Sequence, residues 1–239
     1  MQSTNFFGMK KKFFFLLLML VPSGFAGAQT SIYLSSEWEL LFQGASIKDH
    51  GVKMNNNMRF TAFFHTATDV HFDFFRWGGI YTGLGIRNIG YIQDDVPDPG
   101  VDKIKRRSYT LGIPLVFKVG NMDGFYFFAG GEYEWLFHYK EKTFTGDVKS
   151  TYKDWFSNRT KHFLPSVMAG VQMPAGIMLK FKYYLSNFLN EDYVDGNGLQ
   201  PYHGMDVRMF YVALTFNFRR EQVMKEYRGF RDSGVVVRR

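Results

Sequence analysis

After its N-terminal segment the chain alternates long and short connections without exception, and few folds tolerate such sorting. Eight stretches of two-residue alternation are joined by links that run long, short, long, short, long, short, long. The short links are residues 74–78, 121–124 and 174–175. The long ones are 43–57, 94–104, 141–161 and 189–205. A soluble sandwich or barrel has no reason to sort its connections by length. A barrel in an outer membrane does, because short turns face the periplasm and long loops face outside. The expected fold is therefore all-β: an eight-stranded, antiparallel, up-and-down transmembrane β-barrel over residues 29–218.

Each stretch has two unlike faces. Leu34, Trp38, Leu40 and Phe42 alternate with Ser35, Glu37 and Glu39, and Phe60, Phe64, Val70 and Phe72 with Arg59, His65, Asp69, His71 and Asp73. The same holds for Ile80, Leu84 and Ile86 against Arg87, and for Ile113, Leu115 and Phe117 against Lys118. It holds again for Phe127, Tyr133 and Trp135 against Glu132, Glu134 and His138, for Phe163, Val167 and Val171 against Ser166, and for Leu179, Phe181 and Tyr183 against Lys180 and Lys182. Phe210, Val212, Leu214, Phe216 and Phe218 close the series. Alternation alone says only that a strand is half-buried. Side-chain size and charge choose the side. The apolar residues are too large to fill a narrow interior, where small and large must interleave. The opposite face holds Arg59, Arg87, Lys118, Lys180 and Lys182 against Glu37, Glu39, Asp69, Asp73, Glu132 and Glu134, a near-balance that a closed lumen network would need. Aromatic residues gather at the strand ends: Phe74, Phe75, Trp77, Phe125, Phe216 and Phe218 at one, Tyr91, Tyr109, Trp135, Phe137 and Tyr139 at the other. Interfacial girdles are built in this way. An eight-stranded barrel is just wide enough for side chains to fill it, so an open diffusion pore is not expected.

Lys10, Lys11 and Lys12 precede an apolar run at 13–21, and Ala26-Gly27-Ala28 follows. This pattern predicts a signal peptide over 1–28, cleaved after Ala28. The run is shorter than the ~20 residues a membrane-spanning helix needs. The chain has no cysteine, which excludes a disulfide framework and a cysteine-ligated metal. The net charge of +7 invites a nucleic-acid reading. Its location argues against one: the leader lysines and the basic segment 219–239 account for all of it, whereas a nucleic-acid binder concentrates cations on its folded domain.

Four segments then look familiar: YTGLGIRN at 81–88, RSYTLGIPL at 107–115, GGEYE at 130–134 and FKYYL at 181–185. They resemble the outer-membrane β-barrel domain family of the Bacteroidota, the group that includes PorT-like proteins, over most of residues 30–218. The resemblance implies an integral outer-membrane protein whose last strand ends on aromatics read by the assembly machinery, here Phe216 and Phe218. It implies no catalytic residues, and it admits a role as an accessory component of a secretion system. The tail 219–239 departs from a barrel that stops at its terminal aromatic; it is expected to be a disordered appendage, with a contact to peptidoglycan or a periplasmic partner as the further hypothesis.

Candidate chemistry is sparse. His71 lies between Asp69 and Asp73 at two-residue spacing, an acid–base motif or part of a charge plug; the plug is preferred. His138, His162 and His203 fall near the outer rim, where a small lipid-modifying enzyme would place its groups. Ser166 is four residues from His162 along a strand, too far for a nucleophile–base contact at ~3.3 Å per residue. The loop acids Asp94, Asp95, Asp98, Asp102, Glu191, Asp192 and Asp195 lack the spacing and closing glutamate of a calcium loop, so no metal and no cofactor are expected. The link 141–161 mixes cations with Phe144, Tyr152, Trp155 and Phe156, a composition typical of partner surfaces. It is the expected contact loop. Outer-membrane lipid and lipopolysaccharide are the expected surroundings, with a protein partner at the loops or tail. A non-enzymatic role in envelope integrity, adhesion or assembly follows, with the lipid-modifying enzyme as the alternative.

Overall fold

The computed structural model describes residues 31–94, 96 and 100–219. The leader with its cleavage site at Ala28, the acids Asp95 and Asp98, and the tail from residue 220 lie outside the described residues. Twelve strands form: β1 (Ser31–Asp49), β2 (Val52–Met54), β3 (Asn56–Asn57), β4 (Arg59–Thr61), β5 (Thr66–Phe75), β6 (Gly78–Asp94), β7 (Lys103–Gly120), β8 (Tyr126–Thr145), β9 (Val148–Trp155), β10 (Phe163–Gln172), β11 (Ile177–Tyr184) and β12 (Met205–Arg219). Eight of them close a ring, in the order β1, β5, β6, β7, β8, β10, β11, β12 and back to β1, every pairing antiparallel. The result is an up-and-down barrel without a free edge in its wall.

The three short links are tight turns, one a 3-10 turn at Pro174–Gly176 in which Ala175 takes a left-handed conformation (φ 64°). Two of the long links differ from expectation. β1 continues to Asp49, reverses at His50 and Gly51, and returns as β2; β8 continues to Thr145 and returns as β9. Both hairpins stand above the ring as extensions of its strands, because two-residue alternation persists past the level of the wall. The stretch from Arg59 to Asp73 is likewise not one strand. It breaks at exposed Phe63 and Phe64, the latter left-handed (φ 62°), and its register against β1 shifts across the break.

Strand parity sorts the side chains as alternation demands. Trp38 and Phe42 on β1, Leu115 and Phe117 on β7, Phe127 and Tyr133 on β8, and Leu179 and Phe181 on β11 all face outward and are exposed. The inward parity carries the charges. Soluble monomers rarely expose apolar patches beyond a few hundred Å², and here the outer wall is apolar on strand after strand.

Candidate functional site

The lumen is filled in three layers. At mid-height lies the charge network. Arg87 Nε is 2.7 Å from Glu39 Oε2, and its Nη1 is 2.5 Å from Glu132 Oε1. Lys180 Nζ sits 2.9 Å from Glu37 and 2.8 Å from Glu39, while Lys182 Nζ reaches Glu132 at 2.6 Å and also contacts Glu134. Tyr184 donates its hydroxyl to Glu134 at 2.9 Å. These groups come from β1, β6, β8 and β11, so the network crosses the barrel rather than following one wall. Glycine makes it possible: a Cβ at Gly112 would overlap the Glu132 carboxylate, and one at Gly83 would overlap Asp69.

Toward the short turns, Lys118 pairs with Asp73 and donates to His71 Nδ1 at 3.0 Å. The His71 ring stacks on Tyr33 at 4.6 Å and on Tyr81 at 5.0 Å, and its Nε2 lies 2.8 Å from Ser35 Oγ. Both ring nitrogens are thus taken by Ser35 and Lys118, not by the flanking Asp69 and Asp73 that the sequence spacing brought to attention. With the ammonium donating to Nδ1, the ring proton sits on Nε2 and is donated to the Ser35 hydroxyl. A serine that accepts from histidine is not being deprotonated by it, so this buried pair lacks the arrangement of an activated nucleophile. Tyr81, Val116, Met122, Tyr126, Phe128, Met168 and Met178 pack below and around it as an apolar stopper.

Toward the long loops the lumen turns apolar again. Leu41, Ile47, Ile89, Tyr91, Leu136, Tyr139 and Tyr211 form a buried cluster, completed by Phe188, Leu189 and Tyr202 from the β11–β12 connection. That connection is held inside by Asn187, which accepts from the amides of Leu189 and Val207 and donates to the Met205 carbonyl. Arg159 donates to Tyr202 Oη at 3.0 Å from above. Tyr91 and Tyr139, expected in the outer girdle, are therefore interior residues.

Two members of the expected lumen set stand apart from the ion pairs. Arg59 lies higher, donating to Gln43 Oε1 at 3.1 Å and to Asn88 Oδ1 at 2.9 Å. Asp69 is buried beside Gly83 with its Oδ1 unpaired, as is the Tyr81 hydroxyl.

At the rim a bulge decides the placement of His138. Tyr109 pairs with His138, yet Thr110 pairs with Leu136. The extra residue turns both Phe137 and His138 to the outside. His138 packs edge-on to Trp155 at 4.6 Å, and His162 Nε2 contacts Asn158 at 3.1 Å, while Ser166 donates into the wall to the Glu132 carbonyl. His138 and His162 thus join neither each other nor a nucleophile, and the His203 ring meets only the edge of His50, at 6.1 Å. The expected contact residues also divide. Trp155 and Phe156 stack with Phe137 and Trp135 on the outer wall, Phe144 lies under Lys105, and Tyr152 faces Arg159 on the inner side of the hairpin. The described loop acids go to separate partners: Asp195 Oδ1 accepts from the amides of Asn197 and Leu199, Asp102 accepts from the Gly146 amide, and Asp94 and Asp192 pair with Lys103 and Lys161. Among the described residues no group of three or more His, Asp or Glu is arranged to hold a metal ion, and no helix is long and apolar enough to cross a membrane.

Neither a protein-family model nor a curated protein matches the chain. Solved structures do. The attachment invasion locus protein Ail of Yersinia pestis, in complex with the heparin analogue sucrose octasulfate, is 12% identical, with 78% of this chain and 99% of that one covered and a TM-score of 0.38. Neisserial surface protein A is 10% identical over 80% of this chain and 98% of its own, with a TM-score of 0.39. The outer membrane protein OprG from Pseudomonas aeruginosa is 11% identical over 80% and 98%, with a TM-score of 0.36. The architecture of this chain stands on its own strand pairing.

Proposed function

We propose that this chain is an integral outer-membrane β-barrel, exported by the leader 1–28, that conducts nothing and holds an outward-facing surface at fixed height above the lipid. Its role is then structural or adhesive: envelope integrity, adhesion or assembly with a partner at the long loops. One observation carries this reading. Charges of both signs are sealed inside the ring while Phe117, Phe127, Leu179 and Phe181 face out. A soluble barrel would invert that arrangement, since an unpaired apolar wall costs roughly 25 cal/mol per Å² left in water. The filled lumen supports the absence of transport, because the charge layer lies between two apolar stoppers.

The test is fractionation followed by gel mobility, boiled against unboiled, and then conductance in a planar bilayer. We expect the protein in the outer-membrane fraction, a mobility shift on boiling and no stepwise conductance. Recovery from the periplasm without detergent would end the membrane reading. Discrete channel openings would end the sealed-lumen reading and leave the membrane one standing.

A further inference from the structure

Above the aromatic rim, the outer face of β7, β8 and β9 sets cation opposite cation. Strand pairing puts Tyr109, His138 and Trp155 in one rung. The next rung outward is Arg107, Lys140 and Lys153, and the one beyond it pairs Lys105 with Lys142. Lys149 stands opposite Phe144, whose ring lies 5.3 Å from Lys105 Nζ. None of these six cations has an ion-pair partner among the described residues, whereas neighbouring Lys103 has Asp94 at 3.3 Å. Like charges directly opposite in antiparallel strands weaken the pairing. At Lys140 and Lys142 burial is the first cause that holds the ammonium group below the ordinary lysine value, and the facing cations, Arg107 and Lys149 for both, push it further the same way.

Acids are at hand but on the wrong parity. Glu141 and Asp154 alternate with the cations and face inward, where Glu141 pairs with Arg106 at 2.7 Å and Asp154 accepts from Tyr152 at 3.3 Å. The β1–β2 hairpin and the top of β12 make the contrast. There Lys48, Lys53 and Arg208 are mixed with Asp49 and Asp206, and Arg208 pairs with Asp206 at 2.7 Å. Lys48 does stand opposite Lys53, but it has Asp206 opposite on its other side, whereas on β7, β8 and β9 two successive rungs set cation against cation with no acid on the same face.

We propose that this three-strand wall binds the phosphates of an acylated saccharolipid of the outer leaflet. The inference rests on the membrane reading and names what one face of the barrel binds there. Height selects a lipid headgroup. The first cationic rung lies two residues, roughly 7 Å along the strand, beyond the rung of Tyr109 and Trp155. Aromatic belts mark the lipid–water interface. Acyl chains then run down the wall past Trp135 and Tyr133, and the phosphates meet Arg107, Lys140 and Lys153 just above. Arginine and lysine supply the charge-assisted contacts such groups accept.

The test uses the full chain folded in non-ionic detergent. The probe is a bisphosphorylated, multiply acylated glucosamine disaccharide; the comparison probes are the same lipid stripped of phosphate and a soluble sulfated polysaccharide. The wall variant is R107S/K140S/K153S, with K48S/K53S/R208S as control. Lipid retention is read by native mass spectrometry, and stability by the temperature of the gel shift. We expect the native chain and the control to retain the phosphorylated lipid, and the wall variant to lose about tenfold in retention. In detergent alone the wall variant should melt above the native chain, because repulsion is relieved; with the phosphorylated lipid the order should reverse. Equal retention of the stripped lipid, preference for the soluble polysaccharide, or full retention by the wall variant would each overturn the proposal. A native chain that stays in solution without detergent would overturn the membrane reading itself, before any lipid is added.

Discussion

Asp69 and Glu132 share the lumen and differ in what surrounds them. Glu132 has Arg87 and Lys182 within ion-pair distance, whereas Asp69 Oδ1 has no partner. Removing one member of a buried pair strands the other and costs about 3–5 kcal/mol. Glu132→Gln should therefore lower the urea midpoint of the folded barrel strongly, while Asp69→Asn should leave it unchanged or raise it by about 1 kcal/mol equivalent. A destabilising Asp69→Asn would mean that this carboxylate has a partner after all. Gly112→Ala is the companion test: its methyl group meets the Glu132 carboxylate, and overpacking of this kind costs about 1–3 kcal/mol. Unfolding curves that superimpose on the native one would show that the network can yield. The charged residues of the lumen were visible in the sequence through parity alone. Which carboxylate would be left alone was not, because that depends on registers between β5, β6 and β8 that no local pattern contains.

Among the elements, the β8–β9 hairpin shows both what alternation reveals and where it misleads. Parity along β8 is read from the sequence by counting in twos, and one extra residue at Phe137–His138 changes everything beyond it. Phe137 and His138 are both tolerable on an outer wall beside Trp155, so no residue type announces the bulge. The same counting assigned residues 141–161 to a loop, although strand pairing continues to Thr145 and resumes at Val148. On the inner face of this hairpin, burial alone would raise the Glu141 carboxyl, but the Arg106 guanidinium and the Tyr139 hydroxyl hold it below its ordinary value. A carboxyl depressed in the folded state contributes stability above its unfolded pKa of about 4.3, and that stability is lost as pH falls through the folded value. Limited proteolysis of the hairpin should be constant from neutral pH to about 5 and accelerate below about 4, and Glu141→Gln should remove that acid-dependent step. A step that persists in the variant would place its origin in another carboxylate.

The whole molecule is closed by β1 and β12, the two ends of the described chain, along a register from Ser35 opposite Arg219 to Asp49 opposite Met205. The alternation of short and long links announced this closure, since an even number of strands brings both ends to the same side. What the sequence could not announce was the upper stopper, because residues 189–205 carry no periodicity and their inward fold depends on Asn187, Tyr202 and Arg159 meeting groups distant along the chain. The filled interior should make denaturation slow. Unfolding followed by time-resolved gel mobility in urea should be a single exponential, and Lys180→Met should speed it more than it slows refolding. Two phases, or an effect confined to refolding, would contradict that.

Lys180 reaches Glu37 and Glu39 across 143 and 141 positions of chain, and those partners meet only when the first and last strands have zipped together. Until that moment Lys180 and its two carboxylate partners face water and are content there. Closing the seam therefore expels water from the charges and joins them in one event, and opening it must undo both at once. The protein's endurance is then a matter of a gate that opens rarely, governed by the height of a barrier rather than the depth of a well.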